Sequence, residues 1–242
     1  NNMNKDEFNN FLEQYIEKMN IVLDETQKSQ FYKYMNLLIE WNQKINLTAI
    51  IEPKDIILKH FIDSMTINKY LEENINIIDV GTGAGFPGIP IKISKQNLNV
   101  TLLDSLNKRI NFLNTVVDEL KLENINCIHG RAEEFARMKQ KRESYDVATS
   151  RAVANLNVLA EYLLPFVKIG GKCICMKGPN IEEEIENSKN AIKILGGKIE
   201  KVEEFSLPKT DIKRTIILIR KEKITPALYP RKAGIPSKSP LN

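Results

Sequence analysis

The sequence predicts an α/β fold: a mostly parallel, doubly wound sheet with a C-terminal antiparallel hairpin, preceded by a helical subdomain. Three observations predict it. The first third of the chain has helical spacing and no strand signal before Ile75. From there on, short apolar runs alternate with helical stretches, the pattern of parallel strands with helices on both faces. The last two strand-like runs have no helix between them, and so short a link joins antiparallel strands.

Taken in order, Phe8, Phe11, Leu12, Tyr15, Ile16 and Met19 fall at the i, i+3, i+4, i+7 spacing of one helical stripe. Asp24 can cap the next helix, with Gln27 in the reciprocal position of a capping box, and Phe31, Met35 and Leu38 then share a face. Pro53 suits the first turn of a third helix running through His60 and Asp63. Residues 75–80 form a short apolar run ending in glycines, which reads as a buried parallel strand. Further strands are expected over 100–104, 125–129, 145–149 and 171–176, with helices over 108–122, 156–167 and 181–195. The hairpin strands are 198–207 and 215–220. Beyond Lys223, Pro226, Pro230, Pro236 and Pro240 stand among basic residues, so a poorly ordered tail is expected. The division that results is a helical subdomain over residues 1–70, an α/β domain over 71–222 and a basic, proline-containing tail over 223–242.

Hydrophobic residues make up 42% of the chain and charged residues 27%, enough for a sizeable core in a soluble protein. No apolar run approaches the roughly 18 residues that span a bilayer, so a cytoplasmic protein without a membrane partner is expected. The three cysteines, Cys127, Cys173 and Cys175, lack the spacing of a disulfide framework or a zinc site. Cys173 and Cys175 lie two apart in a strand and read as small buried apolar residues. With only His60 and His129 as imidazoles, no metal site is expected. The formal net charge is +4, and residues 221–242 carry all of it: Lys221, Lys223, Arg231, Lys232 and Lys238 against Glu222. A basic tail suits an anionic partner such as nucleic acid, and serves solubility equally well.

The sharpest motif is DVGTGAGFPG, Asp79 to Gly88, which follows a strand and opens a helix. Residues 83–88 match the dinucleotide pattern GxGxxG, a weak signal by itself. The first glycine after the strand is Gly81, however, and the spacing of Gly81, Gly83 and Gly85 is that of an adenosylmethionine loop. Asp79 can face the cationic methionyl end of such a cofactor. Asp104 ends the second strand, where an acid accepts hydrogen bonds from ribose hydroxyls; nicotinamide enzymes share this feature. Ala132 and Glu133 follow the third strand, where an adenine ring would lie, though Glu133 also suits the first turn of a helix. TSRAVANL, Thr149 to Leu156, ends the fourth strand. An Asn-Pro-Pro-Tyr motif there would point to amine methylation and a Pro-Cys to pyrimidine-carbon attack; Ser150, Arg151 and Ala152 stand there instead. Arg151 is a planar cation able to hold phosphate, carboxylate or a base edge.

Several segments together resemble one family. They are WNQKINLTAI (41–50), KHFIDS (59–64), IIDVGTGAGFPGIP (77–90), LLDSLNKRINFL (102–113), TSRAVANL, MKGPN (176–180) and YPRKAGIPSKSP (229–240). In that order they resemble the RsmG family, also called GidB, the bacterial guanine-N7 methyltransferases of 16S ribosomal RNA. The resemblance runs over nearly the whole chain. It implies a Rossmann-like class I methyltransferase fold with S-adenosylmethionine as cofactor, held at Gly81, Phe86, Ala132, Glu133 and Arg151. It implies methyl transfer to guanine N7 in 16S rRNA of the small ribosomal subunit, the family's target being guanine 527 in the 530 loop. No catalytic residue is implied; Arg151 is the candidate for positioning. The expected partner is the small subunit, and the chain is expected to act as a monomer. The residues by themselves leave open a methyltransferase of another RNA or small molecule, a nicotinamide oxidoreductase, and a non-catalytic rRNA-binding assembly factor.

Overall fold

The structure, a computed structural model, describes residues 2–242. Helix α1 (Lys5–Ile16) buries Phe8, Leu12 and Ile16, four apart and therefore on one stripe. Helix α2 (Glu25–Asn42) opens on the expected capping box: Gln27 N donates to Asp24 Oδ1 and Asp24 N to Gln27 Oε1, each at 2.8 Å. Its buried face includes Phe31, Met35 and Leu38. The third helical stretch starts at Pro53 as expected but changes form along its length. It comprises α3 (Pro53–Ile56), a π turn (Ile57–Ile62) and α4 (Asp63–Met65).

The strands are β1 (Asn76–Val80), β2 (Asn99–Asp104), β3 (Ile125–His129), β4 (Tyr145–Ser150), β5 (Val167–Lys177), β6 (Gly197–Ser206) and β7 (Lys213–Lys221). They form one sheet in the order β3-β2-β1-β4-β5-β7-β6. β1 to β5 run parallel, and β7 lies antiparallel between β5 and β6. Between them run α5 (Gly88–Ser94), α6 (Asn107–Glu119), α7 (Ala132–Phe135), α8 (Leu156–Leu163) and α9 (Glu182–Ile194). The predicted fold class is the observed one. The largest boundary differences lie between α8 and β5, where the strand expected from 171 begins at Val167. The helix expected over 156–167 ends at Leu163, and Val167 already belongs to β5. Pro165 withholds an N–H from the helical ladder, which tightens into a 3-10 turn over Leu164–Phe166.

Alternate strand residues feed two cores, as the two-residue period of a strand dictates. Ile77, Leu102, Ile174 and Ile216 pack with Phe31, Tyr34 and Phe61 of the N-terminal helices. Ile78, Leu103, Ile217 and both Cys173 and Cys175 pack on the other face with α8 and α9. Each such side chain contributes roughly 1.5–3 kcal/mol by leaving water. The N-terminal helices thus share a core with one face of the sheet. Among the described residues no helix is long and apolar enough to cross a membrane.

The tail departs from expectation: it is docked against the domain. Arg142 donates to the carbonyls of Tyr229 (2.7 Å), Thr225 (3.0 Å) and Pro226 (3.1 Å). Tyr229 and Leu241 pack against the second core. A final short helix, α10, spans Ile235–Lys238. Composition hid this because backbone carbonyls, common to every sequence, hold much of the segment. Two of the basic residues that carry the C-terminal charge lie in internal ion pairs. Lys221 is fully buried against Glu143 (2.9 Å), and Arg231 pairs with Glu161 (2.8 Å).

Candidate cofactor and substrate site

Successive strands are added outward on one side of β1 and then, from β4, on the other, so the strand order reverses between the parallel neighbours β1 and β4. In an open α/β sheet the crevice at the carboxyl ends of the strands flanking such a point is where ligands bind. All nine residues singled out in the sequence lie at the carboxyl ends of β1 to β4, in the loops that leave them or, for Ala132 and Glu133, in the first turn of the helix after β3.

Asp79, near the end of β1, is wholly buried. Its Oδ2 accepts from Thr82 Oγ1 (2.7 Å) and Gly88 N (2.8 Å), pinning both ends of the glycine-rich loop. Its Oδ1 has no partner. Burial pushes this carboxyl up to about 7. Asp104 receives the middle of the loop: Oδ2 accepts from Gly83 N at 2.8 Å and Oδ1 from Leu106 N at 3.0 Å. Gly81 and Gly83 have φ of +68° and +62°, and a β-carbon on either would meet nothing within 4 Å. Packing within the protein does not demand glycine there; the backbone angle does, and the open space suits a ligand lying against the main chain. Gly85 differs, because its β-carbon would lie 2.5 Å from the Tyr34 hydroxyl. That hydroxyl donates to Ala84 O, so α2 clamps the loop from below. Phe86 is buried and stacks on His60, with ring centroids 4.2 Å apart and planes 7° apart.

Arg151, just past β4, turns toward the N-terminal helices. Nη1 donates to Lys59 O (3.1 Å) and Asp63 Oδ2 (3.0 Å), Nη2 bonds His60 Nδ1 (2.9 Å), and the guanidinium carbon lies 5.1 Å from the centre of the Phe86 ring. A guanidinium only donates, so Nδ1 is the acceptor and the His60 proton sits on Nε2, 2.9 Å from Thr48 Oγ1. Burial, helped by Arg151, pushes His60 down to about 3, so it stays neutral. The second oxygen of Asp63 accepts from Nε of Arg214 on β7 at 2.9 Å. One buried carboxylate therefore joins the ends of β4 and β7 to the helix that follows Pro53. Arg151, His60, Asp63 and Arg214 border a cavity of about 420 Å³ that also reaches Lys177 and Glu184.

Ala132 and Glu133 open α7 after β3, and both are buried. Glu133 Oε2 accepts from Gly234 N of the C-terminal segment at 2.9 Å. Sequence reasoning gave no role to Tyr34, Thr48, His60, Asp63 or Arg214. The i, i+3 spacing of His60 and Asp63 places them on one helical face, a signal that could have marked that pair. Nothing local marks Arg214, which lies 151 positions from its partner.

Comparison with known proteins accords with this geometry. A family model described as GidB, rRNA small subunit methyltransferase G, matches residues 27–216. The chain is 54% identical over 232 residues to the Ribosomal RNA small subunit methyltransferase G of Desulforamulus reducens, covering 95% of this chain and 97% of that one. It is 53% identical over 237 residues to the protein of the same name from Clostridium botulinum (strain ATCC 19397 / Type A), covering 97% and 99%. Among solved structures, M. jannaschii TYW2 in complex with AdoMet aligns with a TM-score of 0.52 at 17% identity, over 65% of this chain and 72% of that one. MtNAS in complex with MTA and tNA aligns with a TM-score of 0.54 at 14% identity, over 81% and 74%. These two likenesses concern the fold alone. With a family model spanning more than half its length and relatives above half identity end to end, the chain belongs to the GidB family, rRNA small subunit methyltransferase G.

Proposed function

We propose that this protein transfers a methyl group from S-adenosylmethionine to N7 of a guanine in 16S rRNA of the small ribosomal subunit. Family membership supports the rRNA substrate. The resemblance to guanine-N7 methyltransferases implies N7, and one observation supports it: among the described residues lining the cavity beyond β4, no carboxylate or imidazole is left free to act as a general base. His60 has its Nδ1 lone pair on Arg151 and is held neutral down to about 3. Asp63 is shared by two arginines, and Glu184 pairs with Lys177 at 2.9 Å. Guanine N7 presents an in-plane lone pair and no proton, so its attack requires no base.

When bound, S-adenosylmethionine supplies an electrophilic methyl on a sulfonium. The residues present fit that group. Gly81 and Gly83 leave main chain open to it, and the unpartnered Oδ1 of Asp79 is a buried carboxyl oxygen beside them, whose ionised form a bound cation would favour. Asp104 still has lone pairs for ribose hydroxyls after binding Gly83 and Leu106. Ala132 and Glu133 would border the cofactor's adenine. The protein's task is then to align nucleophile and methyl and to exclude water. Attack puts positive charge on the base, so Arg151 does not stabilise that charge; it positions the nucleotide or the cofactor. At saturating cofactor, the single-turnover rate on small-subunit particles should be flat from about pH 6 to 8.5, below guanine N1 ionisation. A rate rising tenfold per pH unit would reveal a required base and remove N7 as the target.

A further inference from the structure

The C-terminal segment reaches the cofactor side of the sheet. Gly234 donates its N–H to Oε2 of Glu133, itself only 6% exposed. Three residues earlier, Arg231 grips Glu161 of α8: Nη2 to Oε1 at 2.8 Å, Nε to Oε2 at 3.1 Å, and the backbone N–H to Oε2 at 2.8 Å. Glu161 is 1% exposed, so without Arg231 its charge would be buried and uncompensated. Nη2 of Arg231 also donates to Ser239 O at 2.8 Å, which closes the segment on itself around Gly234. Beyond the last turn of α7, Arg137 donates to the carbonyls of Leu228 and Pro230. The segment therefore holds α7 at both ends, through Glu133 in its first turn and Arg137 just past its last.

From these contacts we infer that residues 228–239 are a positioning element of the cofactor site, acting through Glu133. A carboxylate offers acceptor sites on both oxygens. The Gly234 N–H occupies Oε2 and so fixes the rotamer, leaving Oε1 for a donor on the adenine end of the cofactor. Ordering that side chain beforehand removes its entropy loss from the binding step. Arg231 and Gly234 touch no reacting group; they act by placing one that binds. The inference rests on the proposed function, because it takes Glu133 as a cofactor contact.

The test is calorimetric titration of the full-length protein with S-adenosylmethionine in the absence of RNA, with melting curves to identify folded variants. Arg231→Ala should weaken cofactor affinity about tenfold, and Arg231→Lys should recover part of it. In turnover, the change should appear in KM for the cofactor rather than in kcat. In a Glu133→Ala background, Arg231→Ala should add nothing, since both act through one carboxylate. Gly234→Ala meets open space but inherits a φ of +87°, so it displaces the N–H and should give a smaller loss in the same direction. It decides the matter if Arg231→Ala fails to fold. Unchanged affinity in the folded variants, or an Arg231→Ala effect equally large without the Glu133 carboxylate, overturns the inference while the proposed function stands. A wild-type protein that binds no S-adenosylmethionine overturns both.

Discussion

At Asp79, burial raises the carboxyl to about 7 against the opposing pull of Thr82, Gly88 and Arg151. The folded protein holds that proton more tightly than the unfolded chain does. Its contribution to stability is therefore fully present below about pH 4 and is lost as pH rises through about 7. A cationic cofactor favours the ionised form. Affinity for S-adenosylmethionine should thus fall below about pH 7, approaching tenfold per unit, and level off above it, and Asp79→Asn should flatten the profile. Calorimetry across that range checks this; a flat wild-type profile would mean that Asp79 does not face the cofactor. The glycines separate by role. Gly81→Ala and Gly83→Ala meet no neighbour, so they should cost only about 1–2 kcal/mol of backbone strain while sharply weakening cofactor binding. Gly85→Ala runs into the Tyr34 hydroxyl and should lower the melting temperature first. Unchanged cofactor affinity in folded Gly81→Ala and Gly83→Ala would sink the cradle. The glycine spacing was legible in the sequence; the distinct role of Gly85 was not, because Tyr34 lies far upstream on α2.

The helical stretch from Pro53 to Met65 is the element that ties the N-terminal helices to the ends of β4 and β7. Its π turn carries His60, and Asp63 follows at once, holding Arg151 and Arg214. π turns occur preferentially at functional sites. Asp63→Asn keeps the shape and removes the charge. Both arginine side chains retain about a quarter of their surface in water, so the stability cost should be only about 1–2 kcal/mol, below that of a fully buried pair. Methyl transfer should fall further than stability does, because Arg151 loses its anchor. Arg151→Ala should act through binding and alignment and leave the pH profile flat. In a double-mutant cycle on single-turnover rates, Asp63 and Arg151 should couple; strict additivity would show that the bridge does not serve the reaction. Periodicity showed this helix and its start at Pro53. It could not show the π turn, nor the bridge, whose arginines lie far along the chain at 151 and 214. The Asp24–Gln27 capping box, whose partners are three residues apart, was legible in full.

At the scale of the whole molecule, the alternation of strands and helices specified the parallel sheet, and the missing helix before the last strand specified its antiparallel end. Charge was less informative. The excess at the C-terminus read as a free basic tail, yet Lys221 and Arg231 are neutralised inside the fold and the segment closes over α7 and α8. Composition counts charges and does not show which of them meet a buried acid. The proposed cofactor crevice lies at the carboxyl ends of β1 to β4, and the cavity beside it is bordered by Arg151, His60, Asp63 and Arg214. The activity proposed for this protein is methylation of guanine N7 in small-subunit rRNA. The most direct measurement is mass-spectrometric mapping of methylated nucleosides in 16S rRNA from cells with and without the protein, repeated on undermethylated particles with purified protein and S-adenosylmethionine. One 7-methylguanosine that appears only with the protein is the predicted result; a methyl on another atom or base, or none at all, would contradict it.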